Sequence, residues 1–148
     1  MIVHKLIASC CGVGYIKRGS GSVAALIVAV LWFFFGSASP LVQVIIAVGV
    51  TIIGIWSAYQ AEAEWGHDSS RIVIDEAAGM LISMFIIPIT WKYVLAAFLL
   101  FRFFDILKPL FIKKMERLKG GWGVMMDDVL AGIYTNVILQ ILVVLKVF

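Results

Sequence analysis

The chain has 148 residues, of which 63% are apolar or aromatic and only 14% charged, with a mean hydropathy of +1.07. Soluble domains carry about 45–50% apolar and about 25% charged residues, so this chain lacks the polar material to cover a water-facing surface, and it is too hydrophobic for intrinsic disorder. Its length fits one domain, residues 1–148, and at about 20 residues per crossing it holds at most five or six membrane helices. The net charge is +3, from 12 Lys and Arg against 9 Asp and Glu. The acids are the more informative part, because each one near a bilayer centre costs roughly 2.5–3.5 kcal/mol.

The N-terminal segment, residues 1–18, is read as an interfacial helix or a partial re-entrant turn. It has no basic region followed by a small-residue cleavage site, so no cleaved signal peptide is expected. Cys10 and Cys11 are adjacent, which suits neither a disulfide framework nor a zinc site, and they are expected to be apolar packing residues. The first long apolar run, residues 23–35, lies between Gly19-Ser20-Gly21-Ser22 and a turn-rich break at residues 36–40. The second, residues 41–59, has no charge and ends in the interfacial aromatics Trp56 and Tyr59. Residues 60–71 are polar and form a loop or a helix extension.

The third run, residues 72–89, carries Asp75 and Glu76 near its start, and the fourth, residues 91–107, is interrupted by Arg102 and Asp105. A basic stretch, residues 108–122, leads to the fifth run, residues 123–148, which carries Asp127 and Asp128 near its start. The expected fold class is therefore all-α: a polytopic membrane bundle of about five helices plus a short N-terminal segment.

If five helices cross, one side holds nine bases (Lys5, Lys17, Arg18, Arg71, Lys108, Lys113, Lys114, Arg117 and Lys119) and the other only Lys92 and Lys146, with Arg102 left inside a helix. This positive-inside bias places the N-terminus and the long loops in the cytoplasm. All nine acids then fall on that same side, and three helices deliver Asp75, Glu76, Asp105, Asp127 and Asp128 to one level at the inner-leaflet headgroups.

Five gathered carboxylates repel one another unless positive charge lies between them. Arg102 and Lys108 neutralise two, and a divalent cation suits the rest; Mg²⁺ takes carboxylate oxygens and is readily completed by a substrate phosphate. Adjacent acids point about 100° apart on a helix, so one of each pair is expected to face the site and the other a neighbour or water. Isolated acids such as Glu62, Glu64 and Glu116 are read as interfacial pairing residues. Gly19, Ser20 and Ser22 open the first helix, where free N–H groups attract phosphate, and Gly120 to Gly123 open the fifth. His67 beside Asp68 is a further candidate for the substrate side, whereas His4 is taken as incidental.

Four segments in order, GSGSVAA (residues 19–25), HDSSRIVIDEAAGM (67–80), FRFFDILKP (101–109) and GGWGVMMDDVLAG (120–132), resemble the phosphatidylglycerophosphatase A family of bacterial membrane enzymes. Lys17 and Arg18 depart from the family's proline-rich approach to the first glycine turn. The resemblance implies Mg²⁺-dependent hydrolysis of the terminal phosphomonoester of phosphatidylglycerophosphate, a step of phosphatidylglycerol synthesis, by a multi-pass protein of the bacterial inner membrane with its site facing the cytoplasm. The expected metal ligands are Asp75 or Glu76, Asp127 and Asp128. Asp105 is either a further ligand or the base that takes a proton from the attacking water, and Arg102 and Lys108 bind phosphate oxygens. A carboxylate nucleophile is the mechanistic rival. Other readings are action on another lipid phosphate, as phosphatase or phosphotransferase, and a small cation channel or transporter, which would place acids deep in the membrane or on both faces. No nucleic-acid partner is expected.

Overall fold

A computed structural model describes residues 2–148. Among them there are seven α-helices, one single turn of 3-10 helix at Val13–Tyr15 and no strand: α1 Ile2–Ala8, α2 Ser20–Phe35, α3 Pro40–Trp65, α4 Ile74–Ser83, α5 Trp91–Leu107, α6 Ile112–Met115 and α7 Gly121–Val144. Two of them, α3 with 26 residues and α7 with 24, are long and apolar enough to cross a membrane. Pro40 starts α3, where its missing N–H costs nothing, and Gly66 at φ 89° ends it. The polar stretch after Tyr59 therefore begins as a helix extension, as far as Trp65.

The short helix α4 is the hub and packs against α2, α3, α5 and α7; α7 also touches α3, α5 and α6, and α1 lies on α3. Two apolar cores flank α4. One gathers Ala25, Ala29, Met80, Ala97, Phe101 and Ala131, and the other Ala8, Ala58, Ala61, Ala77, Ala78 and Met125. The many buried alanines let backbones approach closely, as in helix packing within lipid. Large apolar side chains point outward instead, including Leu26, Val30 and Phe34 on α2 and Ile45, Val48 and Ile52 on α3.

Between α4 and α7 the backbones pack directly against each other. A Cβ on Gly132 would clash with the carbonyl oxygen of Gly79, and one on Gly79 would clash with the Phe101 ring and the carbonyl oxygen of Asp128. Gly79 lies one turn after Asp75, and Gly132 one turn after Asp128. This contact thus sets the separation of the two acidic pairs.

The third apolar run does not form one continuous helix. It ends at Ser83, after only ~15 Å of rise, and continues as turns with Ile86 at φ 53° before Pro88. Polar side chains of neighbouring helices satisfy the freed backbone. Asn136 Nδ2 donates to the carbonyls of Ser83 (3.1 Å) and Phe85 (2.7 Å), Gln140 Nε2 donates to Phe85 (3.0 Å), and the Ile86 N–H donates to Gln43 Oε1 (2.8 Å). Irregular backbone buried among apolar helices needs such partners.

Two smaller readings are also corrected, those of Cys11 and His4. Cys10 packs against the second core as expected, and its thiol is pushed up to about 12, first by burial and then by the negative charge of Glu76, whereas Cys11 is exposed. His4 is buried and bonds Glu64 at 2.9 Å, so it ties α1 to α3. Overpacking the α4–α7 contact with Gly132→Ala is expected to lower the melting temperature of the purified protein, at a cost of about 1–3 kcal/mol. Gly49→Ala, where an added Cβ meets open space, should be neutral or slightly stabilising in the same thermal denaturation.

Candidate functional site

Each acidic segment reaches the site for a local reason. Asp75 and Glu76 occupy the first turn of α4, where carboxylates also complement the helix dipole. Asp105 lies in the last turn of α5, which stops at Lys108, a left-handed residue at φ 48° followed by Pro109. Asp127 and Asp128 lie in the second turn of α7, behind the glycines that let its start approach α3.

These residues meet in two overlapping triads. Single carboxylate oxygens of Asp75, Asp127 and Asp128 lie within 4.8 Å of one another, and so do those of Glu76, Asp105 and Asp128. Both members of the Asp75–Glu76 and Asp127–Asp128 pairs therefore face the cluster. The expectation that one of each pair turns away is corrected, because acids arrive from α4, α5 and α7 and surround the space on several sides.

Arg102 forms an ion pair with Asp105 three residues on, through Oδ2. Lys108 Nζ lies 2.9 Å from Asp127 Oδ2 and also pairs with Glu116. Burial disfavours the charged lysine, but the carboxylates of Glu116 and Asp127 outweigh it and hold the Lys108 pKa above the usual lysine range. Lys108 is therefore a fixed positive charge at the edge of the cluster.

The charges do not balance. Asp128 is 1% exposed, and both its carboxylate oxygens are buried with no hydrogen-bond partner among the described residues; Glu76 Oε2 and Arg102 Nε are likewise buried and unmatched. An unpaired buried carboxylate is strongly unfavourable. An all-oxygen donor set with unmet negative charge fits a hard divalent cation. The cluster is thus able to hold a metal ion.

The other candidate residues divide. Gly19, at φ 71°, caps α2 without a side chain, and Ser20 Oγ donates to the Ser70 carbonyl at 3.0 Å, tying the start of α2 to the loop before α4. A Cβ on Gly21 would collide with the Glu76 carboxylate, so the first turn of α2, with its uncapped N–H groups, abuts the cluster. Ser22 is half-buried in that turn. His67 belongs to neither carboxylate triad: it is exposed, its Nδ1 is 2.6 Å from Glu62 Oε1, and it lines a small cleft with Asp68 and Glu116. Glu116, read from the sequence as an interfacial pairing residue, does pair, and its partner is Lys108 at the edge of the cluster. The signal available was Pro109, which ends α5 and turns the chain back toward the site.

If the unmet charge is answered by a cation, divalent ions should raise the melting temperature of EDTA-treated protein. Asp128→Asn should stabilise the cation-free protein, by relieving repulsion, and remove most of the cation-dependent rise. A full rise in the variant would contradict the assignment.

A family model described as Phosphatidylglycerophosphatase A matches residues 6–143. A Bacteroides thetaiotaomicron protein, provisionally named a phosphatidylinositol-3-phosphatase, is 40% identical over 92% of this chain and 91% of its own length. Phosphatidylglycerophosphatase A of Escherichia coli is 32% identical over 80% of this chain and 71% of its own, and that of Haemophilus influenzae is 46% identical over 59% and 55%. No solved structure gives a significant match.

Proposed function

Since the chain belongs to the phosphatidylglycerophosphatase A family, we propose that it is a magnesium-dependent phosphatase that converts phosphatidylglycerophosphate to phosphatidylglycerol and phosphate. It acts as one domain, residues 1–148, in the bacterial inner membrane with the site at the cytoplasmic face. The observation that carries this reading is the meeting of carboxylates from three family-like segments around Asp128, whose buried oxygens are unmatched.

The membrane placement rests on the outward apolar side chains, the two long apolar helices and the nine-to-two distribution of bases. In this reading α2, α3, α5 and α7 cross, and α4 with its capped turn region forms the third of five crossings. The acids then lie at the headgroup level, where a lipid phosphomonoester resides.

Asp75, Asp127 and Asp128 would hold Mg²⁺, with Glu76 beside them. When bound, it supplies Lewis-acid polarisation of the phosphoryl oxygens and lowers the pKa of water. Arg102, fixed by Asp105 and with Nε unmatched, is placed to bind nonbridging phosphate oxygens and to stabilise charge developing on them. Lys108 gives the phosphate a second fixed charge at the rim. Asp105 has Oδ2 on Arg102 and an oxygen in the triad with Glu76 and Asp128, which favours a ligand role over that of a lone base. The uncapped start of α2 adds N–H donors for phosphate, and His67 lies outside this arrangement.

Phosphate release from purified protein should be measured on phosphatidylglycerophosphate, phosphatidylinositol 3-phosphate and phosphatidic acid, with and without EDTA. The expected result is fastest release from phosphatidylglycerophosphate, abolished by EDTA and restored by Mg²⁺. EDTA-insensitive release, or faster turnover of phosphatidylinositol 3-phosphate, would overturn the reading.

Asp127→Asn should lower kcat by about 100-fold or more, as loss of a metal ligand exceeds the outer-shell effect. Lys108→Ala should raise KM about tenfold, the ~1.4 kcal/mol of one charge-assisted hydrogen bond. Unchanged steady-state kinetics in either variant would remove that residue from the site.

A further inference from the structure

The two triads share one residue. Asp75, Asp127 and Asp128 form one set of oxygens, and Glu76, Asp105 and Asp128 form the other. Asp128 has two buried oxygens without a partner, one available to each set, and Glu76 Oε2 in the second set is buried and unmatched as well. Arg102 engages only Oδ2 of Asp105, so that residue retains a second oxygen.

Charge leads to the same division. The five carboxylates exceed Arg102 and Lys108 by three negative charges, and counting Glu116, which shares Lys108, makes the excess four. One divalent ion leaves the site negative in either count, and a negative site repels a phosphomonoester. Two such ions bring it to neutral or slightly positive.

We propose that the cluster is a dinuclear site in which Asp128 is shared by two divalent cations, one held with Asp75 and Asp127 and the other with Glu76 and Asp105. This rests on the phosphatase reading for its purpose, but the binding itself is measurable without substrate. The arrangement also explains why both acids of each adjacent pair face inward: Asp75 and Glu76 belong to different ions, while Asp127 serves one and Asp128 both.

The test uses Mn²⁺ as the probe on the full-length purified chain after EDTA treatment and desalting. Bound metal is counted after equilibrium dialysis, and the bound ions are examined by electron paramagnetic resonance. The expected result is two Mn²⁺ per chain at saturation, with the broadened spectrum of a spin-coupled pair. Asp105→Asn and Glu76→Gln should each reduce the count to one and return the six-line spectrum of an isolated ion, with the helical circular dichroism retained. One Mn²⁺ per chain with an isolated-ion spectrum in the unaltered protein would overturn the proposal, whatever the variants do. Two uncoupled ions would also overturn it, since a shared Asp128 holds them close together. If only one ion binds while phosphatidylglycerophosphate is still hydrolysed, the dinuclear site fails and the function stands. If two coupled ions bind but no lipid phosphate is released, the reverse holds.

Discussion

Mutual repulsion among Asp75, Glu76, Asp105, Asp127 and Asp128 is the interaction on which the rest of this structure depends. Carboxylates brought this close in a buried space are strongly destabilising without a counter-charge. The chain answers part of the charge with Arg102 and Lys108 and leaves Asp128 with both oxygens unmatched. A fold that concentrates like charges in this way has placed its least stable feature where an incoming cation gains the most.

The helix packing maintains that concentration. The approach of α4 to α7 at Gly79 and Gly132 lies one turn from both acidic pairs, so their separation is set by backbone contact and not by flexible side chains. Alanines on α2, α3 and α5 allow neighbouring helices to close around this pair. At its other end α4 stops early, and Gln43, Asn136 and Gln140 take up the backbone groups released there. These polar residues on the long helices brace the end of the hub helix remote from the acids, and their hydrogen bonds oppose sliding of α4 relative to α7.

Much of the site was legible in the sequence because charge is rare in this chain, so an acid in an apolar run is conspicuous. The boundaries of α2 and α5 were legible as well, since Gly19 and Lys108-Pro109 are local signals. The break in the third run was not, because Ile86 and its neighbours are apolar and the side chains that cap the break lie more than forty residues away in sequence. The inward turn of both members of each acidic pair was hidden for a related reason: helix periodicity predicts the direction of a side chain, but not how many helices surround it. Glu116 was passed over because its partner, Lys108, is eight residues away across a turn.

The excess negative charge around Asp128 calls for a bound divalent cation. Anomalous diffraction from crystals of the protein grown with Mn²⁺ tests this most directly. Manganese density is expected among the carboxylates of Asp75, Asp127 and Asp128. Manganese confined to exposed positions such as His67 and Asp68, with none in the cluster at saturating concentration, would contradict it.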